Sequence, residues 1–172
     1  MALLRDASLV GGRLRVSFGR ISIPSPIGHL TLTASEVGLC AVDWGSTRTK
    51  TSDNAILLAA QTQLDEYFAG TRREFDLPLD LHGTEFQNRT WSALAEIPYG
   101  TTVSYGEQAR RVGVPRAARA VGAANGSNPL PIVLPCHRVI GASGALTGYG
   151  GGLDAKRWLL AHEAGAGERR SE

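Results

Sequence analysis

The chain has the length and composition of a folded protein: of its 172 residues, 42% are hydrophobic and 20% are charged, so it can bury a core in one large domain or two small ones. Four charged residues within the first 15 positions interrupt any apolar stretch that could act as a secretion signal or membrane helix. Cys40 and Cys136 lie 96 positions apart, a pattern typical of free thiols in a reducing compartment. We therefore expect a soluble, cytoplasmic protein.

Charge is distributed unevenly along the chain, although the net charge is only +2. Residues 1–85 carry 8 lysines and arginines against 10 acidic residues, a net charge of −2, whereas residues 86–172 carry 10 against 6, a net charge of +4. A basic C-terminal half is expected of a protein that binds nucleic acid. A solvent-exposed helix face rich in arginine would give the same imbalance, so the charge alone does not distinguish a nucleic-acid-binding surface from such a helix.

The N-terminal half is predicted to be a small α/β unit. Residues 13–44 alternate as in an antiparallel meander, with inward positions at Ile21, Ile23, Leu30, Leu32, Leu39, Ala41 and Trp44. Asp53 or Asn54 can cap the following helix, which Gly70 closes and whose apolar face is Ile56, Leu57, Ala60, Leu64, Tyr67 and Phe68. Alternation at Phe75, Leu77, Leu79 and Leu81 predicts a further strand, which Pro78 confines to a sheet edge.

We place a domain junction before Thr84, giving domains at residues 1–83 and 84–172. Thr84 with Gln87 forms a capping box that opens a helix, whose apolar stripe comprises Phe86, Trp91, Leu94 and Ile97. Ser104 with Glu107 predicts a second box and a helix to about Val112, and Pro115 fits the first position of another helix ending near Ala124. Two helices joined by a short turn containing Gly113 indicate a helix-turn-helix. A last helix begins at Asp154, with Trp158 and Leu159 facing inward, and a frayed polar tail follows from Gly165.

The most informative stretch is residues 128–140. Three prolines bracket an apolar run there, which predicts a buried, stiff and extended backbone because proline cannot continue a helix. Cys136 follows the last of these prolines and precedes His137. A cysteine held at the edge of a core can serve as a positioned nucleophile, although buried cysteines are more often inert packing residues.

Residues 135–138, with Asn128 upstream and the glycine-rich run 148–152 downstream, closely resemble the active-site segment of the O6-alkylguanine-DNA alkyltransferases. The resemblance covers residues 84–164 in the family's order and spacing, through Phe86, Gln87, Trp91, residues 98–100, Ser104, Tyr105, residues 119–122, His162 and Glu163. The N-terminal half matches weakly, at residues 25–28 and 67–70. The resemblance implies an α+β protein, with a small N-terminal α/β ribonuclease-H-like domain and a mainly helical C-terminal winged helix-turn-helix domain.

The resemblance also implies direct-reversal DNA repair without a cofactor. The alkyl group of O6-alkylguanine, with O4-alkylthymine as a second candidate substrate, would pass irreversibly to Cys136 after base flipping. His137 would deprotonate Cys136 through a water molecule, and Glu163 would orient His137. The base-binding residues would be Tyr105, Asn128, Val139, Tyr149 and Gly150.

Residues 116–124 form the implied recognition helix, which would bind the minor groove of double-stranded DNA. They are nearly all small residues apart from two arginines, a composition that close packing in a core would also explain. The resemblance assigns DNA contacts to Thr84, Arg116, Arg119, Ala120 and Gly122. We expect a monomer, with cooperative binding to DNA left open.

Some positions depart from the family pattern. A structural zinc is not expected, because Cys40, His29 and His82 do not form the ligand set that some relatives carry, and Asp76 and Leu77 stand where a ligand would be needed. Gly126 stands where some relatives carry a further basic residue, which predicts weaker DNA binding. Thr147, in the lip of the pocket, leaves the range of tolerated alkyl groups open. Two other classes remain open: a catalytically silent lesion-binding protein, and a helix-turn-helix regulator with a redox cysteine.

Overall fold

The computed structural model describes residues 17–48 and 52–168, with side chains up to residue 165. Its N-terminal half contains a three-stranded antiparallel sheet of β1 (Gly19–Ile23), β2 (Leu30–Ala34) and β3 (Leu39–Trp44), in that order across the sheet. The predicted meander is therefore confirmed, except that its first residues, 13–16, lie outside the described part of the chain. The inward position predicted for Ala41 is wrong: Val42 is buried instead, because an irregularity opposite Thr33 and Ala34 shifts the register of β3.

Helix α1 (Ala55–Phe68) covers the sheet with the apolar face that the sequence predicts. Asn54 caps it, since its side-chain oxygen accepts hydrogen bonds from the N–H groups of Ile56 at 2.9 Å and Leu57 at 3.1 Å. Such a cap contributes about 1 kcal/mol of stability. Gly70 ends the helix with a φ of 78°, a conformation that glycine adopts without strain.

The prediction of a strand from the alternation at Phe75, Leu77, Leu79 and Leu81 is wrong. The segment forms a single bridge to β3, through Leu39 N–H to the Pro78 carbonyl at 2.8 Å and Asp80 N–H to the Leu39 carbonyl at 2.9 Å. Pro78 has no N–H to extend that ladder. The four apolar side chains still pack against the core, which explains why the alternation is present without a strand.

The C-terminal half begins with α2 (Glu85–Leu94), whose predicted capping box is confirmed in both directions between Thr84 and Gln87. The second box is only half present at the start of α3 (Tyr105–Arg111). Ser104 accepts from the Glu107 N–H at 3.1 Å, but the Glu107 carboxylate pairs with Arg111 at 2.6 Å instead of reaching back.

Helix α4 (Ala118–Gly126) packs against α3 around Ala109 and Val121, so the helix-turn-helix is confirmed. Its start was predicted wrongly at Pro115. That proline lies in a turn closed by the Ala117 N–H donating to the Val114 carbonyl at 2.8 Å, and this turn delays the helix by three residues.

Two short strands, β4 (Val103–Ser104) and β5 (Val139–Ile140), form a parallel pair that the sequence did not predict. They fix the start of α3 beside the segment that follows Cys136. The last helix, α5 (Leu153–Glu168), begins one residue before the predicted start and continues past Gly165, so the predicted tail is wrong as far as residue 168.

One main core joins both halves of the chain. Leu32 and Leu64 from the N-terminal half share a cluster with Trp91, Leu134 and Leu159 from the C-terminal half. The junction before Thr84 stays a prediction. Within residues 17–48 and 52–168, no helix is both long and apolar enough to cross a membrane.

Candidate active site

The segment from Asn128 to Ile140 is buried as predicted, but the prediction of an extended backbone is wrong. The Leu134 N–H donates to the Leu130 carbonyl at 2.8 Å, and Ile132 lies between them with a φ of 75°. Cys136–Arg138 then form a 3₁₀ turn. Prolines exclude a regular helix but fit turns as well as strands, and here they stand in turns.

Asn128 holds this segment in its folded form. Its side-chain oxygen accepts from the Leu130 N–H at 3.0 Å, and its side-chain nitrogen donates to the Leu134 carbonyl at 2.8 Å. Its side chain also lowers the pKa of the Cys136 thiol. Asn128 therefore places the cysteine rather than lining the space in front of it.

Cys136 lies in the wall of a pocket of about 630 Å³. The other lining residues come from α3, α4 and the glycine-rich segment: Tyr105, Ala118, Arg119, Gly122, Asn125, Gly126, Thr147, Gly148, Tyr149 and Gly150. The Thr147 hydroxyl lies 3.2 Å from the Tyr105 hydroxyl, so the α3 side and the glycine-rich side of the pocket are in contact. The pocket thus brings Cys136 together with five predicted site residues.

The Cys136 thiol is held mainly in its protonated form. Burial raises its pKa, while the side-chain amide of Asn128 and the positive charge of Lys156 act in the opposite direction. Lys156 is itself buried and donates to the Val139 carbonyl at 2.8 Å and the Thr147 carbonyl at 3.1 Å. Attack by this thiol therefore needs a base to remove its proton.

Glu163, on α5, is the most highly coordinated side chain near the cysteine. Its Oε1 accepts from the Tyr67 hydroxyl at 2.7 Å and from Arg138 at 3.0 Å, and it lies 2.7 Å from His137 Nε2. Its Oε2 accepts from Arg138 Nε at 2.9 Å and the Gly100 N–H at 3.1 Å. Burial alone would raise the pKa of this carboxyl, but the bonds from His137 and Arg138 hold it well below its usual range. Glu163 is therefore ionised at neutral pH.

The ionised carboxylate fixes the tautomer of His137. A carboxylate only accepts hydrogen bonds, so a neutral imidazole must carry its proton on Nε2 and keep a lone pair on Nδ1. The ring is fully buried, and this burial lowers its pKa despite the attraction of Glu163. Nδ1 has no hydrogen-bond partner among the described residues. The arrangement presents an oriented base one residue after the thiol.

Family models match both halves of the chain: the 6-O-methylguanine DNA methyltransferase ribonuclease-like domain over residues 20–81, and the DNA binding domain of the same family over residues 85–165. The chain belongs to the 6-O-methylguanine DNA methyltransferase family.

Relatives within this family are similar over most of their length. The methylated-DNA–protein-cysteine methyltransferase of Mycolicibacterium paratuberculosis is 57% identical over 83% of this chain and 90% of its own. That of Methanosarcina acetivorans is 49% identical over 79% and 92%. The crystal structure of Mycobacterium tuberculosis O6-methylguanine methyltransferase matches with a TM-score of 0.79 and 50% identity, covering 87% of this chain and 94% of that one. The same M. tuberculosis protein in complex with DNA matches with a TM-score of 0.78 and 51% identity, over 87% and 93%.

The residues that the family resemblance assigned to the base and to DNA fall in three places. Tyr105, Arg119, Gly122, Tyr149 and Gly150 line the pocket. Asn128 and Val139 lie behind it; the Val139 side chain is fully buried, and its carbonyl faces Lys156. Thr84, Arg116 and Ala120 are exposed, at the start of α2, in the turn before α4 and on α4 itself.

Sequence reasoning missed three residues around the cysteine: Tyr67, Arg138 and Lys156. The apolar stripe of α1 contains Tyr67, which was assigned to the core without a partner for its hydroxyl. Arg138 directly follows Cys136 and His137, and its adjacency was the only signal. Lys156 occupies an inward position of α5 between Ala155 and Leu159, where a buried lysine calls for a nearby acceptor.

The predicted absence of a zinc site concerns Cys40, His29 and His82. Cys40 is half-buried, and its thiol approaches the Gly38 carbonyl at 3.5 Å and Asp80 at 3.7 Å. His82 pairs with the same Asp80 at 3.0 Å. Among the residues that the structure describes, no group of three or more such side chains is arranged to hold a metal ion.

Proposed function

We propose that this protein repairs double-stranded DNA by transferring the alkyl group of O6-alkylguanine to Sγ of Cys136, once per molecule. The observation that carries the proposal is the position of Cys136 in the wall of a pocket, directly before a buried histidine that an ionised glutamate orients. Membership of the family supports the same reaction. In this proposal the protein acts as a monomer, in the cytoplasm and on DNA.

The lesion must leave the base stack before Cys136 can reach it, because Cys136 lies in the wall of a pocket, which a base stacked in the duplex does not enter. Extruding a base costs a few kcal/mol, and less for a damaged pair. Helix α4 supports this step from the minor groove, where Arg119 is exposed at the pocket and can fill the vacated stack. Arg116 is exposed just before α4 and offers its charge to a phosphate.

The flipped guanine would be oriented by polar groups around the pocket. The family resemblance implies that Tyr105 donates to the ring nitrogen N3 and that the Gly150 N–H approaches O6, and both residues line the pocket. The resemblance also implies that the carbonyls of Cys136 and Val139 accept from the exocyclic amine; the Val139 side chain lies behind the pocket, and its carbonyl accepts from Lys156 with a second lone pair remaining. This pose directs the alkyl carbon toward Sγ of Cys136.

The chemical step is a displacement at that carbon. His137 Nδ1 takes the thiol proton through a water molecule, and the resulting imidazolium is stabilised by the carboxylate of Glu163. The sulfur electron pair forms the new S–C bond, the C–O6 bond breaks, and guanine takes up a proton as its normal lactam is restored. The product at Cys136 is a thioether, whose sulfur is a poor leaving group, so each molecule reacts once.

Stoichiometry tests this proposal. Increasing amounts of protein are mixed with a fixed amount of duplex containing O6-methylguanine, and the restored guanine is measured by chromatography. We expect the restored guanine to rise by one molecule per added protein molecule until the lesion is exhausted. Catalytic turnover, or repair by a Cys136→Ala variant, would contradict the proposal.

A further inference from the structure

Trp44 is the last residue of β3, and the sheet holds its backbone in place. It pairs with Leu30 of β2. The opposite edge of β3 meets the active-site segment, because the Val42 N–H donates to the Pro129 carbonyl at 2.9 Å. Val42 and Trp44 are two residues apart, so their side chains lie on the same face of the strand, where Val42 belongs to the core shared with the C-terminal half and Trp44 packs against it. The indole is therefore carried on a rigid base that faces the C-terminal half.

The indole contacts residues 147–151, which we call the pocket lip. Its ring packs edge-on against Tyr149, with centroids 5.6 Å apart and planes at 66°. A Cβ added at Gly150 would lie 3.3 Å from the indole Nε1. A Cβ added at Gly151 would lie 2.6 Å from both Cε2 and Cζ2, closer than packed atoms approach. Gly151 is required here because the indole occupies the space of a side chain.

Apart from the Thr147–Tyr105 contact and the packing of Tyr149 against the main core, few interactions support the pocket lip. It contains no helix or strand, and Thr147, Gly148 and Gly150 are exposed. The described bonds to its backbone are from Lys156 to the Thr147 carbonyl at 3.1 Å and from the Gly152 N–H to the Tyr149 carbonyl at 2.9 Å. Both anchors belong to the C-terminal half, so the indole is the support supplied by the N-terminal sheet.

We infer that Trp44 is a positioning residue that fixes the pocket lip from behind and thereby sets the size of alkyl group that Cys136 accepts. Tyr149 and Gly150 line the pocket on one side and touch the indole on the other, so they transmit its position to the substrate. With the indole in place the lip cannot retreat, and small alkyl groups are held close to sulfur. This inference rests on the proposed alkyl transfer.

A double-mutant cycle tests the contact. Single-turnover rates are measured for wild type, Trp44→Ala, Gly151→Ala and the double variant, on duplexes containing O6-methylguanine or O6-benzylguanine, below the melting midpoint of each protein. Misplacing a reacting group by about 1 Å costs up to roughly 100-fold in rate, so we expect each single variant to lose roughly 10- to 100-fold on the methyl substrate. Because the added methyl group of Gly151→Ala no longer meets an indole, it should change the rate of Trp44→Ala by no more than roughly twofold.

Alkyl size provides a readout that loss of stability would not change. Removing the indole opens space behind the lip, so the benzyl-to-methyl rate ratio should rise roughly tenfold in Trp44→Ala, a discrimination typical of a modest change in pocket volume. Trp44→Phe, which keeps an aromatic ring, should restore part of the methyl rate. Val37→Ala, which removes an exposed apolar side chain from the same sheet region, should match wild type in rate and ratio.

An unchanged benzyl-to-methyl ratio in Trp44→Ala would overturn the inference, as would an equal loss from Gly151→Ala on both backgrounds. Should Trp44→Ala fail to fold, the cycle is run with Trp44→Phe, where the smaller ring must still reduce the cost of Gly151→Ala. An equal cost on that background also overturns the inference. The wild-type rates separate the two proposals: an inert wild type refutes alkyl transfer itself, whereas an active wild type with uncoupled variants refutes only the role of Trp44.

Discussion

Replacing Arg138 with alanine should destabilise this protein more than any surface change, because it would leave the buried carboxylate of Glu163 without its cation. The guanidinium donates to both oxygens of Glu163, at 2.9 and 3.0 Å, and to the Ile97 carbonyl at 2.6 Å. The two paired side chains are only 6% and 1% exposed. Breaking a buried ion pair on one side typically costs about 3 to 5 kcal/mol.

That cost is a large part of a total stability of about 5 to 15 kcal/mol. For a chain of this length, 1 kcal/mol shifts the melting midpoint by about 2 to 4 °C, so the midpoint of Arg138→Ala should fall by roughly 6 to 20 °C. Arg138→Lys should recover only part of the loss, since an ammonium group cannot reproduce the two-pronged contact.

The measurement is thermal and urea unfolding of the purified variants. Arg157→Ala is the matched control, because Arg157 pairs with Asp154 at 2.9 Å on the solvated surface of α5, where both side chains are largely exposed. It should leave the midpoint unchanged. If Arg138→Ala has the same melting midpoint as Arg157→Ala and wild type, the guanidinium does not stabilise the buried carboxylate and the electrostatic reasoning is wrong.

Four further outcomes are expected. Cys136→Ser should abolish alkyl transfer yet bind duplex DNA with nearly unchanged affinity in a gel-shift titration, because a hydroxyl is a far weaker nucleophile of similar size. Arg119→Ala should slow repair of duplex DNA but not of free O6-benzylguanine, since the exposed arginine acts on base extrusion; equal losses would refute that role. The pKa of Glu163 is lowered on folding, so the stability that this carboxylate contributes is complete above the unfolded pKa of about 4.3 and is lost as the pH falls below that value. Glu163→Gln should therefore reduce the dependence of unfolding free energy on pH in the acid range. An unchanged pH dependence would count against the burial argument. Methylation of Cys136 removes the S–H group and leaves a weaker acceptor beside the Asn128 amide and Lys156. A buried polar group that loses its partner costs about 1 to 3 kcal/mol, so the reacted protein should melt several degrees below the unreacted one in the absence of DNA, and coincident midpoints would mean that these polar contacts do not stabilise the fold.

Periodicity and capping residues predicted most of the helices and strands of this fold. The antiparallel meander of β1 to β3 and the Asn54 cap of α1 are local signals, and each is confirmed. The errors concentrate at prolines. Pro78 and Pro115, like the prolines of residues 129–135, exclude a regular helix or ladder at their own positions but do not choose between strand and turn. That choice depends on side chains such as Asn128, whose hydrogen bonds to the surrounding backbone are not visible in a pattern of hydrophobicity.

The candidate site likewise has a part that the sequence indicates and a part that only the folded structure reveals. The motif around Cys136 and His137 stands in consecutive residues, so the sequence indicates it directly. The residues that set the electrostatics of the site are not consecutive in the sequence. Tyr67 lies in the N-terminal half of the chain and contacts Glu163 only in the folded protein, through a hydrogen bond of 2.7 Å. Trp44 likewise reaches the pocket lip from the other half. Contacts between distant segments and the burial of a charge are properties of packing, which a single sequence does not specify.

The central claim is that the alkyl group ends on the sulfur of Cys136, and mass spectrometry tests it most directly. The protein is mixed with an excess of duplex containing O6-methylguanine, its intact mass is recorded, and the modified residue is located by peptide mapping. The account predicts that the whole protein population gains a single methyl group and that this group lies on Cys136. A methyl group on Cys40 or any other residue, or an unmodified protein beside repaired DNA, would contradict it.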